Sequence, residues 1–437
     1  MRRKIVLVTV LAMAILTTYL ACGGRQAQAQ WPQWGGPNRD FTAQAAGLAE
    51  SWPERGPKKL WKRRLGDGFS SIVVDDGLAY TMYRRGKRFE YTVALDARTG
   101  EKVWEYRSPS PVPEENEQFP GPHSTPIVSG DRLFSVGRGA LLQCFDKKSG
   151  EVLWSHDLVA EFGCAISAWG YACSPIAYQN MVILPVGRRR PPFGQQSPHG
   201  QDQPEPAADD NAEGRTLIAF DQQDGSVVWK SQDFGFDHSS PVLIDFSGRQ
   251  QLVMVTPEAL FAVDPANGEL LWQHVFENIE AYMVSPIWLD GNRLFCSTPR
   301  SGSRLFELAD EDGHTVPQLR WESNSLRSAF LNPVRIDSLI VGSSGSSPAI
   351  MTCIDMETGE RKWASREVSA ATTVYADGKI IILTEDGELL LATVTPEALT
   401  VHCRHQITER ESFSAPTLVG TTLYVRDRKY IMALDLG

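Results

Sequence analysis

The sequence predicts an all-β fold, an eight-bladed β-propeller of four-stranded antiparallel blades. One motif recurs five times, with an Asp, a Gly four residues later and a Trp four residues after that Gly. Because the Asp caps a turn and the Gly adopts a left-handed conformation, each copy predicts a hairpin. Repeats of roughly 40–50 residues that each carry four strands are typical of propeller blades. The five copies begin at Asp96, Asp146, Asp221, Asp264 and Asp355.

A second element precedes each hairpin and supplies the first two strands of a blade. It consists of Ser or Thr before a Pro, then β-branched residues, a turn and an apolar strand. Each repeat therefore contains four strands, which we name A, B, C and D in chain order. The proline of this element stands at Pro126, Pro175, Pro241, Pro286, Pro333 and Pro416.

The tryptophans of the repeat occupy one fixed place in strand D. We interpret them as structural residues that fill space between blades, because a fixed place in every repeat is typical of architecture rather than of a ligand-stacking ladder. The residues of this set are Trp61, Trp104, Trp154, Trp229, Trp272, Trp321 and Trp363.

The two ends of the repeat region complement each other. The chain enters with a D-like strand at 60–65 and ends with a C-like strand near 433. The first strand should therefore complete the last blade and close the ring, which removes a free sheet edge. Eight C strands can be counted. We predict one propeller domain over 59–437, a lead segment over 30–58, and a polar, mobile insertion over 188–215.

The N terminus has the pattern of an export signal over residues 1–29. Three cations precede an apolar run, and two cleavage sites compete. Ala27-Gln28-Ala29 fits cleavage after Ala29, whereas Leu20-Ala21-Cys22 resembles a lipobox with lipid on Cys22. In either case we expect an exported, periplasmic or secreted protein, and lipidation would make it an outer-membrane lipoprotein. Because the segment holds four cations and no acid, its removal changes the net charge from −10 to −14.

Charge and cysteine content exclude some classes of function. An acidic chain argues against a nucleic-acid binder or a binder of anionic membranes, so membrane contact is expected only through a lipid. Cys164 and Cys173 are the one pair close enough in sequence to suggest a local disulfide. The cysteines at 144, 296, 353 and 403 lie in apolar runs that favour buried thiols.

The motif over residues 94–104, Ala-Leu-Asp-x-x-Thr-Gly-Glu-x-x-Trp, resembles the tryptophan-docking motif of PQQ-like β-propellers. This family includes quinoprotein alcohol dehydrogenases and BamB-type outer-membrane assembly factors, and the resemblance covers 59–437. It implies that each Trp stacks on the Ala and Gly positions of a neighbouring motif, such as Ala94 with Gly100 and Ala262 with Gly268. The opening 31–40 resembles the lead segment of bacterial envelope proteins with such repeats.

The resemblance implies two functions. A dehydrogenase would hold PQQ and calcium in the central funnel beside a catalytic Asp and a vicinal disulfide. This sequence has no adjacent cysteines and no C-x-x-C-H haem motif, and neither the Asp nor the calcium ligands can be placed. We therefore favour a monomeric binding or scaffolding module of the envelope for a protein, peptide or carbohydrate. A PQQ-dependent oxidoreductase is the alternative, with PQQ and calcium as its cofactors.

Candidate site residues lie in the loops that precede the A strands. His123 and His238 each stand one residue before the Ser pair that precedes Pro126 and Pro241. They are candidate ligand-binding residues at the rim of the funnel. The alternative is a variable rim position, because Phe69, Ala172 and Phe413 occupy the same place in other blades.

Two basic runs stand out against the acidic background. They lie at 84–88 and 188–190, both in connections between strands B and C. They could share one face of the ring and bind an acidic partner, or be ordinary solvated loops.

Overall fold

The computed structural model describes residues 30–110, 119–167, 169–187, 216–235, 238–277, 284–289, 291–345, 348–409 and 411–437. The predicted signal segment with its two processing sites, the insertion at 188–215 and the basic run at 188–190 lie outside the described residues.

Eight four-stranded antiparallel sheets make up the described part of the chain, and they confirm the predicted eight-bladed propeller. Strand β1 is Lys58–Arg64. Blades 1 to 3 contain β2 to β13: Val73–Asp75, Leu78–Arg85, Phe89–Asp96, Lys102–Pro109; Ile127–Ser129, Arg132–Val136, Leu141–Asp146, Val152–Asp157; Ile176–Tyr178, Met181–Pro185, Leu217–Asp221, Val227–Ser231. Blades 4 and 5 contain β14 to β21: Val242–Phe246, Arg249–Val255, Ala259–Val263, Leu270–Val275; Ile287–Trp288, Arg293–Thr298, Gly302–Glu311, His314–Ser323. Blades 6 to 8 contain β22 to β32: Val334–Ile336, Leu339–Ser344, Ile350–Asp355, Arg361–Ser365; Ala371–Ala376, Lys379–Thr384, Glu388–Val394, Leu399–Gln406; Thr417–Val419, Thr422–Arg426, Tyr430–Asp435.

The first and last strands close the ring. Strand β1 pairs antiparallel with β32, from Lys58 opposite Asp435 to Arg64 opposite Tyr430. Blade 8 is therefore built from both ends of the repeat region, with strand order β1-β32-β31-β30. This pairing confirms the predicted closure by an N-terminal strand. It gives blade 8 its fourth strand and joins the two ends of the repeat region within one sheet.

The repeated hairpin between strands C and D follows from its Asp and Gly. In blade 1, the Asp96 carboxylate accepts hydrogen bonds from the amides of Arg98 and Thr99, at 3.0 and 2.7 Å. Gly100 has φ +69° and donates its amide to the Asp96 carbonyl at 2.8 Å. The register between the strands shifts at Ala94/Leu95, which marks a bulge beside the turn.

Each of these glycines lets an indole of the preceding blade lie against the turn. A Cβ on Gly100 would be 2.5 Å from the ring of Trp61, and one on Gly268 would be 2.7 Å from Trp229. The Trp61 indole Nε1 also donates to the carbonyl of Ala97, at 3.0 Å. The motif alanines lie elsewhere: Ala94 is directly opposite Trp104 of its own blade.

The hydrogen bond from an indole Nε1 to a backbone carbonyl of the following blade recurs around the ring. Trp272 differs, because it donates to Gln251 Oε1 of its own blade at 2.6 Å. The next turn, in blade 5, is the long β20–β21 hairpin, which lacks the motif spacing. The other five donor–acceptor pairs are Trp104 with Lys147, Trp154 with Gln222, Trp229 with Pro265, Trp321 with Met356, and Trp363 with Thr395.

Outside the strands, the described residues contain one short helix, α1 (Leu158–Phe162), with Asp157 as its N-cap. No helix in that part of the chain has the length and apolar character needed to cross a membrane. Cys164 and Cys173 are both buried and are not joined to each other, so the suggested local disulfide is absent.

Replacing Gly100 by Ala tests the contact between indole and glycine. Gly378, in the A–B turn of blade 7, is the matched control, since its φ is +70° and a Cβ there would meet nothing within 4 Å. Both variants carry the strain of a positive φ, but only Gly100→Ala drives a methyl into a neighbouring ring. We expect Gly100→Ala to lose about 1–3 kcal/mol more unfolding free energy than Gly378→Ala. Urea unfolding measures this, and equal losses would contradict the docking role.

Candidate functional site

A central cavity of about 450 Å³ lies on the propeller axis, and we call it the cup. This volume falls in the range of small-molecule sites, roughly 300–1,000 Å³. Because strands alternate in direction within each blade, the connections before the A strands and the B–C connections lie at one end of the ring. We call this end the mouth. The A–B and C–D turns lie at the other end.

The rim of the cup is built from one repeated sequence position. The residue three places before the A-strand proline, or its equivalent in blade 1, lines the cup in six blades. Both candidate histidines are among these residues, together with the three residues that share their position and with Phe330. The structure therefore brings His123 and His238 into one cavity. The six rim residues are Phe69, His123, Ala172, His238, Phe330 and Phe413.

An arc of hydroxyl groups lies below the rim and joins blades 1 to 5; we call it the girdle. The amide of Ser71 donates to Thr125 Oγ1 at 3.1 Å, and the amide of Thr125 donates to Ser174 Oγ at 3.0 Å. The amide of Ser174 donates to Ser240 Oγ, and that of Ser240 to Ser285 Oγ, each at 2.8 Å. A Ser or Thr directly precedes four of the six prolines, which is the signal for this girdle in the sequence, but the hydrogen bonds between blades were not predicted.

The lead segment forms the floor of the cup at the end opposite the mouth. Trp31 forms a bridge with Val74 of blade 1, and Phe41 accepts a hydrogen bond from the amide of Tyr375 in blade 7 at 2.9 Å. Between these anchors, Trp34 and Phe41 meet edge to face, with ring centroids 4.9 Å apart. Both rings line the cup, so the segment closes one end of the channel.

Arg39 anchors this floor to blades 3 and 4. It is 4% exposed, and its guanidinium donates to the carbonyls of Pro175 and Pro241, the latter at 2.7 Å, and to Gln33 Oε1 at 3.0 Å. Burial lowers its pKa to about 9, so the group remains a cation at neutral pH. Three of its five N–H donors bond to oxygens, and its side chain does not line the cup, so Arg39 holds the floor in place.

His123 presents one defined tautomer. Its Nε2 lies 3.1 Å from the Phe119 carbonyl, and its ring meets Phe69 edge to face at 5.4 Å. Burial, with smaller effects of Arg138 and His238, lowers the pKa of His123 to about 3 against the opposing effect of the Phe119 carbonyl. A neutral ring that donates through Nε2 carries its lone pair on Nδ1.

His238 lies on the other side of the rim. Its Nε2 is 3.5 Å from Ser167 Oγ, and its ring centroid is 5.9 Å from that of Trp169, which also lines the cup. The two histidines are near enough for His238 to influence the pKa of His123. They differ in their surroundings, because one is held by a carbonyl and the other by a hydroxyl.

The cup does not fit PQQ with calcium. PQQ carries three carboxylates, and calcium is held by six to eight oxygen ligands that include carboxylates. Among the described residues, the lining contains no Asp, Glu, Lys or Arg. That part of the chain also has no group of three or more His, Cys, Asp or Glu side chains arranged to hold a metal ion.

The basic run at 84–88 lies at the mouth, as its B–C connection requires, but it is not uniformly a loop. Arg84 is buried within β3, and Arg85 lies over the rings of Tyr83 and Tyr91, with distances to the ring centroids of 5.3 and 5.2 Å. Lys87 and Arg88 are exposed in the turn between β3 and β4. Only part of the run is therefore presented to solvent.

His123→Phe tests the neutral state of the imidazole. The unfolded chain binds a proton at His123 below a pH of about 6.5, whereas the folded chain binds it only near pH 3. Acidification therefore favours the unfolded wild-type chain, and the variant lacks this effect. We expect stability to fall more steeply in wild type than in His123→Phe between pH 6.5 and 4.5, by up to about 1.3 kcal/mol per pH unit. Urea unfolding across this range measures the difference, and parallel pH profiles would contradict it.

Solved structures of other proteins are similar to this chain in fold. BamB from Moraxella catarrhalis is 14% identical, with a TM-score of 0.59 over 86% of this chain and 97% of that chain. A europium-containing methanol dehydrogenase is 11% identical, with a TM-score of 0.60 over 93% and 89% of the two chains. No curated protein matches the sequence.

A family model described as outer membrane protein assembly factor BamB matches residues 49–161, 88–281 and 279–396. These overlapping segments together span most of the propeller, in keeping with its repeats. The chain therefore belongs to this BamB family of PQQ-like repeat propellers.

Proposed function

We propose that this chain is an exported binding module of the cell envelope, whose cup receives an uncharged ligand. One observation carries the proposal: no charged side chain lines the cup among the described residues. A charged ligand would lose its hydration there without gaining a counter-charge, which is costly in a low-dielectric cavity. A neutral ligand incurs no such cost.

Membership of the BamB family supports the envelope setting. The predicted export signal over 1–29 also supports a location in the envelope. Because the matched family model is described as an assembly factor, we propose a protein or peptide as the partner of the outer surface of the ring, with a carbohydrate as a further candidate. The cup and the outer surface are separate places, and a single module can use both.

The alternative function is a PQQ-dependent oxidoreductase. It is suggested by the similarity in fold between this chain and the europium-containing methanol dehydrogenase. The lining of the cup argues against it, because a tricarboxylate needs cationic partners and a bound cation needs carboxylate oxygens. The two functions therefore differ in whether the protein binds PQQ with a metal ion, which a titration can measure.

Titration of the purified mature protein with PQQ separates the two functions. The protein is mixed with PQQ and calcium or europium ions, the absorption spectrum is recorded, and dye-linked methanol oxidation is assayed. We expect no saturable one-to-one spectral change and no alcohol-dependent dye reduction. Stoichiometric PQQ binding with turnover would overturn the binding-module proposal. A quinoprotein methanol dehydrogenase treated in parallel shows that the cofactor is competent.

The N terminus of the mature protein decides how the module is held. Mass spectrometry of protein from its native envelope gives the first residue directly. A lipid on Cys22 would indicate a membrane-tethered propeller, whereas a free Gln30 would indicate a soluble periplasmic or secreted one.

A further inference from the structure

Aromatic rings dominate the upper part of the cup. Phe69, Phe119 and Phe413 form a cluster with centroids 5.8–6.0 Å apart, and Phe330 joins it edge to face at 5.6 Å from Phe413. Phe330 is 42% exposed, a large exposure for an apolar side chain. Rings in such tilted and edge-on arrangements offer both faces and edges to a further flat ring. The walls therefore favour an aromatic ligand.

The girdle supplies hydrogen-bond donors. The hydroxyl oxygens of Thr125, Ser174 and Ser240 each accept an amide proton from the preceding blade. None of these hydroxyls donates to an acceptor among the described residues, although all three residues line the cup. Each therefore has a proton to give to a ligand oxygen. Carbonyl or ether oxygens are suitable acceptors.

Thr373 provides an independent indication of a missing partner. It lines the cup, is 2% exposed, and its Oγ1 has no hydrogen-bond partner among the described residues. A buried hydroxyl without a partner costs about 1–3 kcal/mol, so such groups are normally satisfied by water or a ligand. An unsatisfied hydroxyl at the wall of a cavity indicates that the cavity is built to be filled.

His123 supplies the complementary acceptor. Its Nε2 is occupied by the Phe119 carbonyl, and Nδ1 has no partner among the described residues. An imidazole Nδ1 lone pair accepts one hydrogen bond, and a ligand hydroxyl is the matching donor.

We infer that the cup binds an uncharged aromatic molecule that carries both a hydroxyl group and a carbonyl oxygen. The ring packs among Phe69, Phe330 and Phe413, the carbonyl oxygen accepts from the girdle, and the hydroxyl donates to Nδ1 of His123. This inference rests on the proposed function, since it names the class of neutral ligand. A saccharide fits less well, because its many hydroxyls would meet apolar walls without partners.

A set of four probes tests the class of ligand by isothermal titration calorimetry at pH 6.0. The test ligand is 4-hydroxybenzophenone, and benzophenone is its counterpart without the hydroxyl. The charged probe is 4-benzoylbenzoate, and maltose is the saccharide probe. We expect 4-hydroxybenzophenone to bind one-to-one, benzophenone about 3–10 times more weakly, as loss of one hydrogen bond predicts, and the other two not measurably.

Variants of His123 locate the hydroxyl contact. In His123→Phe, the two benzophenones should bind with equal affinity, because the acceptor is gone. In His123→Asn, whose Oδ1 takes the place of Nδ1, the preference for the hydroxylated probe should return. His314→Phe, at the exposed start of β21 in blade 5, is the matched control and should keep the preference.

The remaining outcomes overturn different statements. Binding of maltose without either benzophenone, or no binding by any probe, overturns the inferred ligand class and leaves the binding-module proposal standing. An unchanged preference for the hydroxylated probe in His123→Phe overturns the role of His123. Stoichiometric binding of PQQ with a metal ion, with turnover, overturns the proposed function itself.

Discussion

The pairing of β1 with β32 is the interaction on which the rest of the structure depends. Each blade contacts only its two neighbours, so an open stack would leave one blade without a successor and expose its inner faces. Closure gives every docking indole a following blade; Trp61 reaches Ala97 of blade 1 only because β1 is held in blade 8. It also fixes where the lead segment ends. Lys58 begins its strand at the end of the ring opposite the mouth, and the residues before it therefore cross the channel there.

The ring turns one sequence position into a circle of side chains around the axis. Identical blades would make a symmetric channel, whereas here the rim combines three phenylalanines, two histidines and an alanine, and the girdle repeats hydroxyl groups. The resulting cup is aromatic at the rim, polar around its middle and closed by Trp34 and Phe41. Its lining in the described residues carries no charge. The side chains at the repeated positions, and not the fold, therefore set the chemistry of the cup, because fold and site chemistry are independent properties.

Much of the site was within reach of sequence reasoning. The repeat assigned His123 and His238 to equivalent places, and the structure shows both in the cup. The repeat also contains the hydroxyl groups of the girdle, since a Ser or Thr precedes most of the prolines. The hydrogen bonds between them could not be predicted, because they depend on how neighbouring blades pack together. The floor was not within reach. Residues 30–58 carry no repeat, and a single Arg in a polar-looking stretch gives no sign that it will be buried against two carbonyls.

The sequence by itself determined the architecture: the strand pattern, the Asp-Gly turns, the number of blades and the strand that closes the ring. These follow from local rules, because turn chemistry and strand alternation act over a few residues and the repeat multiplies them. Only the tertiary structure decided how the channel is closed and which chemical groups surround the cup. The direction taken by the lead segment, the burial of Arg39 and the neutral state of His123 depend on groups far apart in sequence. Their energies come from desolvation and from contacts across blades, which no local pattern records.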